Sequence, residues 1–315
     1  MKPLKIGTRG SALALWQAKT VAALIERAGR RVEIVVIKTG GDRLQERPLS
    51  EPGGKRLFVK EIEDALLGRD IDIAVHSAKD MSAILPEGLA IAAVLPREDP
   101  RDALVLRDGT PVVDFNAALE HLGDMPAIAT SSVRRIAQLS AVLPQATFTP
   151  IRGNVDTRIR KLDSGDYEAL VLAAAGLNRL GYGARISAAI PIDVCIPAPG
   201  QGIVAIEIRG DDARSRDAVA SVNDPAAAIS LVAERSIVAA LGGGCQLPLG
   251  AIALHEGNGV LMRAVVATPD GRRTIRRESS GTPHEAQALG ARLARELASA
   301  GAAEILDSVR SGTSS

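Results

Sequence analysis

The sequence predicts an α/β protein of two lobes, each a sheet covered by helices, followed by a small α+β domain. Three observations predict it. Short apolar runs alternate with helix-periodic segments through the first two thirds of the chain. Six of those runs end in polar or cationic clusters. Beyond about residue 220 the rhythm changes to a helix, then strands joined by tight turns, then a closing helix.

Taken in order, LKIGT is a short strand. SALALWQAKTVAALIERAG follows as a helix, with Leu13, Trp16 and Leu24 among the apolar residues at helical spacing and Gly29 as its stop. VEIVVIK reads as a buried strand. RLFVKEIEDALLG reads as a helix with Phe58, Ile62 and Leu66 on one face, and DIDIAVHS as the next strand. After the loop REDPRD, AIAT is a strand, and Ser131 or Ser132 can cap the helix VRRIAQLSAVL. TFTPI, a helix around VDTRIRKL, the strand ALVLAAAG and the short helix LNRLG complete a second set, and the alternation argues for parallel sheets.

PAPGQGIVAIEIRG (197–210) breaks the rhythm and enters a strand expected to return to the first sheet. The lobes are then joined by crossings near 100–107 and 196–202. Residues 1–102 with 200–220 form lobe 1, 103–199 lobe 2, and 221–315 the last domain. That domain opens with the helix PAAAISLVAERSIVAAL. Its strands turn at Gly257–Gly259 and Asp270–Gly271, and HEAQALGARLARELASAG closes it as a helix.

Composition removes several functions. Two cysteines in 315 residues make no disulfide framework. A net charge of +1 and 2% aromatic residues leave neither a basic footprint nor stacking platforms for nucleic acid. Four histidines and no CxxC pair argue against a metal site. The start MKPLKIGTRG has no apolar h-region, and no segment reads as a membrane span, so a cytoplasmic protein with reduced thiols is expected. TGGD and LGGGC match neither the phosphate-loop nor the dinucleotide motif.

The strand-end residues are the candidates for function. They are Arg9 and Ser11; Thr39, Gly40, Gly41 and Asp42; His76, Ser77, Lys79 and Asp80; Thr130, Ser131, Ser132, Arg134 and Arg135; Arg152, Gly153 and Asn154; and Arg179. In open α/β sheets ligands bind beyond the carboxyl ends of the strands. Two such edges facing each other would place Arg9, Lys79, Arg134, Arg135, Arg152, Arg158 and Arg179 around one lone acid, Asp80. Guanidinium matches carboxylate and phosphate bidentately, so a multiply anionic ligand is expected. Blander roles compete. Arg134 and Arg135 could be a solvated helix face, Asp80 a cap, His76 a strand-end fixture, and Cys195 an inert core thiol. Cys245 stands apart, directly after three glycines in LGGGCQLPLG.

Taken in order, TRGSALALWQA, GGKRLFVKEIEDALL, DIAVHSAKD, EDPRDA, TSSVRR, RGNVDTR, AAAGLNRLG, PAPGQG and GGCQLPLG cover nearly the whole chain and resemble the porphobilinogen deaminase (hydroxymethylbilane synthase) family. The resemblance implies two lobes like those of type 2 periplasmic binding proteins plus a small α+β domain. It implies head-to-tail joining of four porphobilinogen units into hydroxymethylbilane with loss of ammonia, the small-molecule chemistry of haem biosynthesis. It also implies a dipyrromethane cofactor held by a thioether, here on Cys245, in a monomeric enzyme. A thiolate is a strong nucleophile, and glycines without Cβ atoms leave room for pyrroles against the backbone.

By the same resemblance Asp80 is the catalytic acid, able to accept hydrogen bonds from pyrrole N–H groups and to stabilise positive charge as ammonia leaves. Ser77, Lys79, Thr130, Ser131, Ser132, Arg134 and Arg135 would hold the cofactor with Asp80. Arg9, Ser11, Lys55, Phe58, Arg152, Gly153, Asn154, Arg158, Arg179 and Gln201 would hold substrate, whose acetate and propionate groups explain the arginines. Arg56, Ala78 and Gly10 depart from the family's usual Gly, Met and Gln without removing a catalytic group. Two other classes fit the two-lobe plan: a non-catalytic anion receptor and a cysteine transferase with a transient adduct.

Overall fold

The structure, a computed structural model, describes residues 2–40, 59–107, 109, 112–242 and 247–312. The expectations at Gly41, Asp42, Lys55, Arg56, Phe58 and Cys245 fall outside them. In chain order come β1 (Leu4–Thr8), α1 (Ala12–Arg27), β2 (Val32–Val36), α2 (Lys60–Leu67), β3 (Ile73–Ser77) and β4 (Leu89–Val94). Next are β5 (Asp102–Leu106), α3 (Phe115–Leu122), β6 (Ala127–Ala129), α4 (Val133–Leu139), β7 (Thr147–Thr149), α5 (Val155–Asp163), β8 (Ala169–Ala173), α6 (Ala174–Arg179) and β9 (Ala188–Ala189). The chain continues through β10 (Val204–Arg209), α7 (Ala213–Val219), α8 (Pro225–Ala240), β11 (Leu249–Glu256), β12 (Gly259–Ala267), β13 (Thr274–Gly281), α9 (Ala286–Leu297) and α10 (Ala303–Arg310). These elements fall into two compact units, residues 1–98 with 203–228 and residues 99–202 with 229–315.

The first unit holds a five-stranded sheet ordered β2-β1-β3-β10-β4. β1 runs parallel to β2 and β3, while β10 runs antiparallel to β3 and β4. The expected return of 204–209 to the first sheet is thus observed, but the sheet is mixed rather than parallel. A parallel strand needs a crossover connection; β10 enters the sheet from the other unit instead. β2, expected to be buried, lies at the sheet edge and is half exposed. In α1 the buried face is Gln17, Ala18, Val21, Ala22 and Ile25, whereas Trp16 is 37% exposed. Residues 18, 21, 22 and 25 keep the i, i+3, i+4, i+7 stripe that packs on the strands, and Trp16 sits off it. Ser11 caps this helix through its Oγ, and Gly29 ends it at φ 80°.

The second unit holds a sheet ordered β7-β6-β8-β5-β9. β6 is parallel to β7 and β8, and β5 is antiparallel to β8 and β9. The pattern reading passed over β4, β5, β9 and α3. It also took ALVLAAAG as strand throughout, whereas the helix α6 begins at Ala174, whose N–H is taken by Arg101 O. Further along, β11, β12 and β13 form the expected antiparallel meander, with tight turns at 257–258 and around Asp270–Gly271. Helices α8 and α9 close its apolar face through Ile237, Leu289, Leu293 and Leu297 against Val260, Met262 and Ala264. The last helical segment does not stop at Gly301: that residue kinks the chain at φ 94°, and α10 follows.

The two helices approach closely at Gly290, where an added Cβ would lie 2.2 Å from Ala233 O and 2.3 Å from Ser236 Oγ. Backbone cannot yield as a side-chain tip can. Gly290→Ala is therefore expected to destabilise the protein by about 1–3 kcal/mol despite the better helix propensity of alanine. A urea denaturation midpoint equal to the parent's would contradict this packing.

Candidate functional site

In the first unit, β1 and β3 are parallel neighbours, so the residues after both strands gather at one sheet edge. Arg9, Ser11, Gln17, His76, Ser77 and Asp80 line one hollow there. Asp80 ends the single 3-10 turn Ala78–Asp80 that continues β3, and it is the one carboxylate among the described lining residues. Gln17, on the buried face of α1, donates from Nε2 to Ser77 Oγ at 2.9 Å. His76 is buried, and its Nε2 lies 3.1 Å from Glu207 Oε2 on β10. This agrees with the strand-end role expected for His76. Lys79 is half buried in the same turn but does not line the hollow.

In the second unit the residues after β6 and β7 are interlocked. Ser131 Oγ donates to Ile151 O at 2.7 Å and accepts from Ile151 N at 2.9 Å. Buried Thr130 accepts from Ser132 N through Oγ1, and Ser132 Oγ caps α4 by accepting from Arg135 N. Asn154 precedes α5, and Arg158 Nε donates to Gly153 O at 2.8 Å. Gly153 is at φ 112°, and a Cβ there would lie 2.8 Å from the Thr157 methyl, so this position requires glycine. Arg152 is half buried beside it. Arg179 donates from Nη2 to Gly202 O at 2.7 Å.

Arg134 and Arg135 are not a solvated face: they are 4% and 6% exposed. Both bind Asp102, a wholly buried residue at the start of β5. Arg134 reaches its carboxylate from Nη1 at 2.7 Å and Nη2 at 3.2 Å, and Arg135 from Nε at 2.9 Å and Nη2 at 2.8 Å. Gln201, 1% exposed, adds Nε2 at 2.9 Å and also donates to Pro100 O. Arg134 Nη1 further donates to Ile196 O, and Arg135 Nη1 to Val171 O. Burial alone would push the Asp102 carboxyl up. The two guanidinium charges and the hydrogen bonds from Arg134 and Gln201 outweigh it and hold the carboxyl well below the usual carboxylate range. For the neighbouring Cys195 thiol, burial and then the Asp102 charge push the pKa up to about 12 against the pull of the arginines. An inert core thiol was expected at this position.

Nearby, Glu234 of α8 is buried and accepts from Gly200 N at 2.6 Å and from Ala253 N of β11 at 2.8 Å. Sequence reasoning missed Asp102, Glu207, Glu234 and Gln17. Their signal is a polar residue that falls on the apolar face of its strand or helix: Asp102 in DALVL, Glu207 in VAIEIR, Glu234 in SLVAERSIV and Gln17 in LALWQAKTVAA. Such a residue must find a partner when that face is buried.

The fold and its strand ends define an α/β protein in which each unit gathers polar and cationic side chains at the carboxyl ends of its parallel strands. Residues 4–217 match the family model described as "Porphobilinogen deaminase, dipyromethane cofactor binding domain", and residues 228–299 match that of the C-terminal domain. The chain belongs to the porphobilinogen deaminase family; it is an enzyme of tetrapyrrole biosynthesis whose cofactor is dipyrromethane. A porphobilinogen deaminase of Acidithiobacillus ferrooxidans is 47% identical over 311 residues, 98% of each chain. That of Syntrophobacter fumaroxidans is 43% identical over 309 residues, 97% of each. Among solved structures, a TRAP periplasmic solute binding protein from Ralstonia eutropha aligns at TM-score 0.40 and 13% identity, covering 75% of this chain and 81% of its own. An ABC transporter periplasmic substrate-binding protein from Coxiella burnetii aligns at TM-score 0.42 and 12% identity, covering 71% and 94%. Among the described residues no helix is long and apolar enough to cross a membrane.

The raised pKa and burial of Cys195 make it unreactive. At about pH 8 iodoacetamide is expected to leave Cys195 unmodified in the folded protein and to alkylate it once urea is added. Peptide mass mapping reads the difference, and native labelling at the rate of an open thiol would contradict the burial described.

Proposed function

We propose that this chain joins four porphobilinogen molecules head to tail, with Asp80 as its catalytic acid and Cys245 as the attachment residue of the dipyrromethane. The observation that carries the reading is the hollow at the ends of β1 and β3, where Arg9, Ser11, Ser77 and Asp80 converge. Arg9 and Ser11 receive a substrate carboxylate there. Asp80 accepts hydrogen bonds from pyrrole N–H groups and stabilises the positive charge that develops as ammonia departs. It also passes a proton between the departing amine, which leaves as ammonia, and the ring carbon that forms the new bond. Gln17 holds the Ser77 hydroxyl in one orientation for a polar contact beside it. Lys79 and Lys55 add cations toward the acetate and propionate groups, and Phe58 packs on a pyrrole ring.

The donor set of the second unit fits a dipyrromethane, because two buried guanidiniums share a single carboxylate and stand beside the hydroxyls of Thr130, Ser131 and Ser132. Bound through a Cys245 thioether, the dipyrromethane supplies the primer on which the chain is built. Arg134 and Arg135 hold its carboxylates. Arg152, Gly153, Asn154, Arg158, Arg179 and Gln201 serve the incoming units. We read the enzyme as a cytoplasmic monomer acting on a small molecule and on no nucleic acid. Its three domains are 1–102 with 200–220, 103–199 and 221–315.

Two variants test these assignments. Cys245→Ala is expected to fold but to show, by mass spectrometry of the denatured protein, no mass increase corresponding to two pyrroles; an adduct on a Cys195 peptide would sink the assignment. Asp80→Asn keeps the shape and removes the charge. It is expected to retain the adduct and lose kcat by about a hundredfold or more, since the lost interaction belongs to the transition state. Steady-state kinetics showing an unchanged kcat with a raised KM would make Asp80 a binding residue instead.

A further inference from the structure

Among the described residues Asp102 is the one carboxylate bound by Arg134 and Arg135, and the other groups to which the guanidiniums donate are neutral: the Ile196 and Val171 carbonyls and the Cys195 thiol. Two cations and one anion leave an excess positive charge in a place where Arg134 and Arg135 are 4% and 6% exposed. Buried charge without a counterion is unfavourable, and the cluster gains when an anion joins it. Asp102 also sets where the two guanidiniums lie, because it engages both nitrogens of the Arg134 fork and both Nε and Nη2 of Arg135. A bidentate contact fixes orientation as well as distance.

We infer that Asp102 is a positioning residue that aligns Arg134 and Arg135 for a carboxylate of the dipyrromethane, which balances the excess charge of the cluster. This rests on the reading above that the two arginines hold that group. The alignment extends further. Gln201 links Asp102 to the 197–202 segment, and Gly200 N of that segment donates to Glu234. Glu234 in turn binds β11 at Ala253 N. Helix α8 and strand β11 are the elements that flank Cys245 in sequence. One hydrogen-bonded series therefore runs from the arginines to both neighbours of the attachment segment.

The test compares apoproteins of the parent, Asp102→Asn, Asp102→Glu, Arg134→Gln and Arg135→Gln. Each is checked for folding by circular dichroism and thermal unfolding. Each is then mixed with porphobilinogen, and the covalent mass increase is followed in time. Asp102→Asn is expected to load roughly 10- to 100-fold more slowly, the loss of one to two charge-assisted contacts. Asp102→Glu, which keeps the carboxylate, is expected to recover most of that rate even where its unfolding temperature is also lowered. A purely structural role would instead make loading follow unfolding temperature in both variants. If Asp102→Asn does not fold, Asp102→Ala purified in formate replaces it, with loading per folded molecule restored by formate and not by chloride at equal ionic strength. Parent-like loading by folded Asp102→Asn, or equal loading of Asp102→Ala in formate and chloride, overturns the inference. Parent-like loading by both arginine variants would sink the assignment of the arginines themselves, and slow arginine variants beside a fast Asp102→Asn would sink Asp102 alone.

Discussion

The Asp102 carboxylate holds together the end of the second unit where α4, β5 and the 197–202 segment meet. It begins β5, accepts from Arg134 and Arg135 of α4, and accepts from Gln201 of the 197–202 segment. Desolvating three charges is repaid only when every donor and acceptor is satisfied. Here Asp102 collects bonds from four side chains, Arg134, Arg135, Gln201 and the Cys195 thiol, while its backbone pairs with Ala173 and its carbonyl accepts from Ile190 N. A strand, a helix and a loop are thereby set against one another by bonds that fail together. Removing one partner leaves buried charge uncompensated, at about 3–5 kcal/mol for pairs of this kind.

The first unit solves a related problem with weaker groups. Its sheet has the same relation of strands: the strand that arrives from the other unit lies between the third and fourth strands and runs antiparallel to both. In each sheet that strand carries a buried carboxylate, Glu207 on β10 and Asp102 on β5. Glu207 holds His76 at the end of β3, as Asp102 holds the arginines of α4. In both, a buried acid on that strand fixes a cationic or polar neighbour at a sheet edge. The burial that makes these contacts strong also keeps Cys195 protonated.

Much of the fold was legible because its signals are local. Ser11 and Ser132 cap their helices since each Oγ meets an N–H three residues on. Gly29 ends a helix because it tolerates φ 80°. The meander of β11 to β13 follows from alternating runs broken at Gly257 and Asp270–Gly271. Short strands such as β9, of two residues, and the entry of α6 at Ala174 depend on partners distant in sequence. The same limit applied to the site. Arg134 and Arg135 were visible as an RR pair, but the choice between a solvated face and a buried cluster depended on an acid 32 residues earlier.

The sequence by itself determined the types of the longer elements, the caps, the turns, the chemical character of the strand ends and the order of motifs, because each depends on residues within a few positions of one another. Tertiary structure alone decided the antiparallel placement of β5 and β10, the exposure of Trp16 and β2, and the partners of Asp102, Glu207 and Gln17. Those outcomes depend on which chain segments meet across a sheet, and a polar residue on a buried face requires a partner without saying which one it will find.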